Sequence, residues 1–123
     1  MNQSQPGDNV PCIYLSFNDM SVLRNVIRGY LAYARRTSLP TGERHAQFTL
    51  LESLYERFAM IHSGLQEIPF FLSKTEIQAL SAALTGFMTF IRQQVPPSKN
   101  RDATLRDLEL FRQHLTSWLE LAF

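Results

Sequence analysis

Cys12-Ile13-Tyr14-Leu15-Ser16-Phe17-Asn18-Asp19 and Pro69-Phe70-Phe71-Leu72-Ser73-Lys74-Thr75-Glu76 follow one plan. Each opens on a short run of aromatic and branched residues, Ile13–Leu15 in the first and Phe70–Leu72 in the second, which suits a β-strand. Each then reads Ser-x-x-acid, the signature of a helix start. The Ser hydroxyl accepts from a free backbone N–H, and the acid three residues on reaches back to the Ser N–H. Ser73 and Glu76 form the full capping box; Ser16 and Asp19 form a shorter, weaker version.

Sliding the chain by 57 residues carries the first stretch onto the second and aligns Cys12–Gln66 with Pro69–Phe123 without a gap. Ten of the 55 pairs are identical, among them Gly29/Gly86, Arg35/Arg92, Pro40/Pro97 and Glu52/Glu109. Average composition would give roughly three or four by chance. Two generic amphipathic helix pairs would match in polarity, but not also in a glycine, a proline and a capping site. The chain therefore reads as two tandem copies of one unit.

Each unit continues with a helix, about residues 18–36 and 74–94. Met20, Leu23, Ile27, Tyr30, Leu31 and Ala34 form the apolar stripe in copy one. Ile77, Leu80, Leu84, Phe87, Met88 and Ile91 form it in copy two. Val22, Val26 and Tyr33, matched by Ala79, Ala83 and Phe90, widen that stripe, so the first and third helices are expected to be the more buried pair. Pro-containing loops follow, at 37–42 and 95–100. The second helices, about 43–63 and 101–121, carry Phe48, Leu51, Leu54, Tyr55, Phe58 and Ile61, and Leu105, Leu108, Phe111, Leu115 and Trp118. Gly64 is the expected end of the second helix.

A strand alone in its unit needs a partner for its backbone groups. The matching strand of the other copy is the natural one, and across a twofold axis matching strands run antiparallel. The expected fold is therefore mainly α. It is a four-helix bundle of two tandem strand–helix–helix repeats related by a pseudo-twofold axis, with a small two-stranded antiparallel ribbon. Residues 1–10 read as a flexible N-terminal tail and 11–123 as a single domain, with repeat one at 12–66 and repeat two at 69–123. A helix-interior glycine costs about 1 kcal/mol relative to Ala. Its occurrence at both Gly29 and Gly86 predicts a close backbone approach of the first helix to the third.

Composition sets the outer limits. The 123 residues are 45% hydrophobic and 19% charged, with net charge +1, which suits one folded domain and implies neither a polyanion-binding surface nor an acidic tail. Ten of the twelve basic residues are Arg, a bias toward fixed ion pairs or anion contacts. The single cysteine, Cys12, cannot form an internal disulfide. The polar start lacks a secretory pattern, and the most apolar stretch, 77–91, is too short and too interrupted to span a bilayer. A cytoplasmic protein with no membrane association is the default expectation.

No motif specifies a chemistry. His45, His62 and His114 are scattered, and none lies in a metal-binding string. Glu52, Glu56 and Glu109 are followed at the di-iron spacing by Tyr55, Ala59 and Arg112 rather than His. Glu52 and Glu109 read instead as border carboxylates paired with Arg. Cys12 has no His at a recognisable spacing, and phosphate-cradling glycine loops are absent. No catalytic residue, metal or cofactor is expected, and the protein is read as non-enzymatic.

Two surface features remain. Leu110 and Leu121 fall on one side of the fourth helix, away from Leu108, Leu115 and Leu119. They are specific to copy two, whose partners in copy one are Ser53 and Gly64, and could seed an interaction surface. The open edges of the ribbon offer another route to pairing. The expected function is a small protein-interaction or assembly module, self-associating as a homodimer or binding a protein partner. The alternative is a nucleic-acid-binding or regulatory module, using Arg24, Arg28 and Arg35 along one edge of the first helix as anion contacts. Against that, copy two carries Ser81 and Thr85 where copy one has Arg24 and Arg28. A third expectation, an aromatic-lined pocket near Tyr30, Phe87 and Trp118, competes with a filled core.

Overall fold

A computed structural model describes residues 12–37, 42–60 and 68–122. The chain runs β1 (Cys12–Leu15), α1 (Phe17–Thr37), α2 (Gly42–Ala59), β2 (Ile68–Phe71), α3 (Lys74–Gln94) and α4 (Lys99–Ala122). Four helices thus carry a small two-stranded antiparallel sheet. The tail at 1–10 and Ile61, His62 and Gly64 lie outside the described residues.

The ribbon pairs Cys12 with Phe71, Ile13 with Phe70, Tyr14 with Pro69 and Leu15 with Ile68. Ile13 therefore faces the residue 57 positions further on. Side chains alternate across the ribbon: Ile13, Leu15 and Phe70 are buried, whereas Tyr14, Pro69 and Phe71 are exposed. Pro69 has no N–H to give, so its place is a position whose backbone groups point away from the partner strand. β2 lies earlier than the 70–72 run suggests. Leu72 is buried, but it abuts the N-cap Ser73 and its position opposite falls beyond β1.

Both helix starts are capped as expected. Ser73 N donates to Glu76 Oε1 at 2.8 Å and Glu76 N donates to Ser73 Oγ at 3.1 Å. Ser16 N donates to Asp19 Oδ2 and Asp19 N to Ser16 Oγ, both at 3.0 Å, so the Asp version closes equally well. α4 begins two residues before its expected start, because the Ser98 hydroxyl accepts from Arg101 N at 3.0 Å.

α1 and α3 lie against each other and carry most of the core. Met20, Leu23, Val26, Ile27, Tyr30, Leu31 and Ala34 of α1 are buried, as are Ile77, Ala79, Leu80, Ala83, Leu84, Met88 and Ile91 of α3. The outer helices contribute less: Phe48, Leu51, Leu54 and Phe58 from α2, and Leu108 and Leu115 from α4. α2 packs on both α1 and α3, whereas α4 packs chiefly on α3.

The paired glycines sit in the α1–α3 seam, but the close approach is made by rings rather than backbone. A Cβ on Gly29 would run into the Phe87 ring, and one on Gly86 into the Tyr30 ring. Each helix supplies the gap and, one residue on, the ring that fills the other gap. This packing is the physical reason for a glycine where a helix would prefer alanine.

Candidate functional site

The arginine edge of α1 is engaged within the protein. Arg24 lies over the Tyr55 ring, 5.4 Å from its centroid, and its buried Nε has no hydrogen-bond partner. Arg28 donates to Asn25 Oδ1 at 3.2 Å. Arg35 bridges to Glu52 at 2.8 Å, linking α1 to α2, and covers the Phe48 ring at 5.6 Å. Arg28 and Arg35 share a shallow depression with Glu52, Glu56 and Tyr55, so anionic side chains already stand beside the cations.

The second repeated carboxylate, Glu109, accepts two bonds from Arg112, one turn away on the same helix, and a third from Gln113 Nε2 at 3.2 Å. Bonding to that guanidinium holds the Glu109 carboxyl below its usual range, against a smaller opposing push from burial. Both carboxylates are thus arginine-paired. Among the described residues no group of His, Cys, Asp and Glu is arranged to hold a metal ion.

The apolar surface is more informative. Leu110 and Leu121 are 50% and 87% exposed on α4, as their helical phase requires. The structure brings Leu110, but not Leu121, into a cleft of about 350 Å³ between α4 and the β1–α1 corner. Tyr14, Leu15 and Asp19 form one wall. Asp107, Leu110, Phe111, His114 and Trp118 form the other. Tyr14 is 58% exposed, and Phe71 on the same ribbon face is 61% exposed, which extends the apolar surface across the ribbon. His114 leans on Trp118, their ring centroids 6.3 Å apart. Tyr30 and Phe87 fill the α1–α3 seam while Trp118 lies in the outer cleft, so the three aromatic residues do not line one pocket.

The opposite flank shows how the corresponding corner is closed. Residues 57 positions away from Tyr14, Asp19 and His114 are Phe71, Glu76 and Arg57. Arg57 of α2 bonds Glu76 Oε2 through Nη1 and the Phe71 carbonyl through Nη2, both at 3.1 Å, and its guanidinium lies 5.9 Å from the Phe70 ring centroid. Beneath it Phe58 meets Phe70 edge-on at 5.1 Å. One arginine thus joins α2, the cap of α3 and the ribbon. On the α4 flank, no ion pair or hydrogen bond engages Asp107 or His114 among the described residues, and Asp19 uses only its capping bonds.

No family model, curated protein or solved structure matches this chain. What it does must be argued from its own surfaces.

Sequence reasoning found Leu110 and missed the cleft around it. Alternation along the strands was a usable signal: with Ile13 and Phe70 inward, Tyr14 and Phe71 had to face out. The meeting of α4 with the β1–α1 corner depends on tertiary packing, and no local pattern reports it. No helix of the described residues is long and apolar enough to cross a membrane.

Proposed function

We propose that this protein is a small non-enzymatic interaction or assembly module whose working side is the outer face of α4 together with the exposed face of the ribbon, and that it self-associates as a homodimer through that side. The observation that carries this reading is the share of the large exposed apolar side chains that these two elements carry, with Tyr14 and Leu110 meeting in one cleft and Leu121 further along α4. Tyr14, Phe71, Leu110 and Leu121 are four of the six large hydrophobic residues counted as exposed among the described residues. Exposed apolar surface of this kind is the usual mark of a protein-binding face. The arginine edge of α1 supports nucleic-acid binding less well, because Arg24 and Arg35 are held by an aromatic ring and a carboxylate.

Light scattering after size exclusion tests the reading. The expected result is a species of twice the chain mass, reduced to the single-chain mass by the double substitution Leu110→Glu, Leu121→Glu without loss of helical circular dichroism. A wild-type chain that stays monomeric near millimolar concentration rules out the homodimer.

A further inference from the structure

We propose that the α4 cleft is a receptor for an arginine side chain presented by a partner polypeptide beside an apolar residue. The inference rests on the α4 side being a binding surface, and adds the chemistry of what binds.

The protein itself shows how such a corner accepts arginine. Arg57 enters the matching corner between α2 and the ribbon, where a capping carboxylate, a strand carbonyl and an aromatic ring receive it. The α4 corner repeats the carboxylate and the strand without the donor; Ile13 stands at the place of the Phe70 ring, and Tyr14, Phe111 and Trp118 supply the aromatic wall instead. Asp19 occupies the position of Glu76, and only its Oδ2 is used in the cap. Tyr14 occupies the position of Phe71, and, opposite Pro69, its backbone groups point away from β2 as those of Phe71 point away from β1. His114 stands where Arg57 stands and is shorter and engaged only with Trp118.

The remaining differences turn the corner into a cleft with a charge preference. Asp107 replaces Leu50, which packs against the core on the other flank, and so adds a second carboxylate to the rim. Leu110 replaces Ser53 and adds an apolar shelf. Neither Arg nor Lys lines the cleft. Two carboxylates, a strand carbonyl and aromatic walls favour a guanidinium, which donates from several N–H groups and stacks on rings, over an ammonium. Leu110 and Phe111 then accept a neighbouring apolar side chain.

Trp118 is the only tryptophan and lies in the cleft, so its fluorescence reports occupancy directly. The probe is the blocked tripeptide acetyl-Leu-Arg-Leu-amide, titrated into dilute full-length protein and followed in parallel by amide NMR. Its uncharged citrulline analogue is the control. Saturable changes are expected at Trp118, Tyr14, Asp19 and His114, with the citrulline peptide about tenfold weaker. His114→Arg fills the cleft from within: it should weaken the peptide at least as much and raise the melting temperature. Asp107→Asn, at the exposed rim, should weaken the arginine peptide alone. Equal binding of the two peptides, indifference to both substitutions, or no saturation overturns the inference. A chain that dimerises but ignores the peptide overturns this inference alone. A monomeric chain that binds it removes the homodimer and leaves the cleft.

Discussion

α2 and α4 occupy corresponding positions in the 57-residue alignment, yet they are attached differently: α2 packs on α1 and α3, α4 chiefly on α3. α2 is held by four buried residues, including Leu54 and Phe58 with no exposed surface, by the Arg57 bonds to Glu76 and Phe71, and by the Arg35–Glu52 bridge back to α1. α4 fully buries only Leu108 and Leu115, with Leu105, Phe111, Trp118 and Leu119 packed partly buried against the core, and its ion pair, Glu109–Arg112, lies within itself. The α2 flank is thus fastened by side-chain bonds across elements, whereas Asp107 and His114 on the α4 flank make none among the described residues. A small domain cannot expose binding groups everywhere and still bury enough apolar area to fold. Here the α2 flank is the more fully buried, which leaves the α4 flank for the binding role proposed above.

Core truncation should show the largest contrast. Leu54→Ala removes a fully buried side chain and is expected to cost about 2–5 kcal/mol in denaturant unfolding. Phe111→Ala, at the matching position in α4, removes a larger but only partly buried ring and should cost about 1–2 kcal/mol. Equal losses would mean that α4 is as integral to the core as α2.

The Arg57 clamp should show a smaller contrast. Arg57→Leu leaves Glu76 Oε2 and the Phe71 carbonyl without their donor. Because the Arg57 side chain is 37% exposed, water replaces part of what is lost, and the expected cost is about 1 kcal/mol. His114→Leu, at the matching place, breaks no bond and should leave the melting temperature unchanged or slightly raised. A loss at His114 equal to that at Arg57 would show a fastening contact on the α4 flank and shrink the contrast between the two corners.

Much of this architecture was legible in the chain, and for a physical reason. Helix stripes, strand alternation and Ser-x-x-acid caps are local patterns, each written in under ten residues. The strand pairing was also reachable, because a lone strand must satisfy its backbone and only one other was on offer. The glycines were half legible. Gly29 and Gly86 signalled a close approach, but that Phe87 and Tyr30 rings fill the gaps depends on side-chain direction across two helices. The cleft was the least legible part. Leu110 stood out by its phase, whereas Asp19 read only as a cap and His114 only as a stray histidine. Their importance comes from lying opposite one another, which no stretch of the chain records.

The ion pairs provide the smallest and most specific test. Glu109 has its carboxyl held low by Arg112, so the folded protein keeps that group charged to lower pH than the unfolded chain does. The sign follows: the pair's stabilisation is fully present above the ordinary Glu value of about 4.3 and is lost as pH falls below it through the lowered folded value. Melting temperatures of wild type and Arg112→Gln should therefore differ slightly near neutral pH and converge as acid protonates Glu109 in the folded protein. The effect should also stay local. Amide exchange should speed up along 109–116 in α4 and nowhere else, because both partners lie on one helix. Arg35→Gln, which cuts a bridge between two helices, should instead loosen α1 and α2 together. If Arg112→Gln loosens α3 as well, the Glu109–Arg112 pair is a fastening between helices, and the contrast between α2 and α4 narrows.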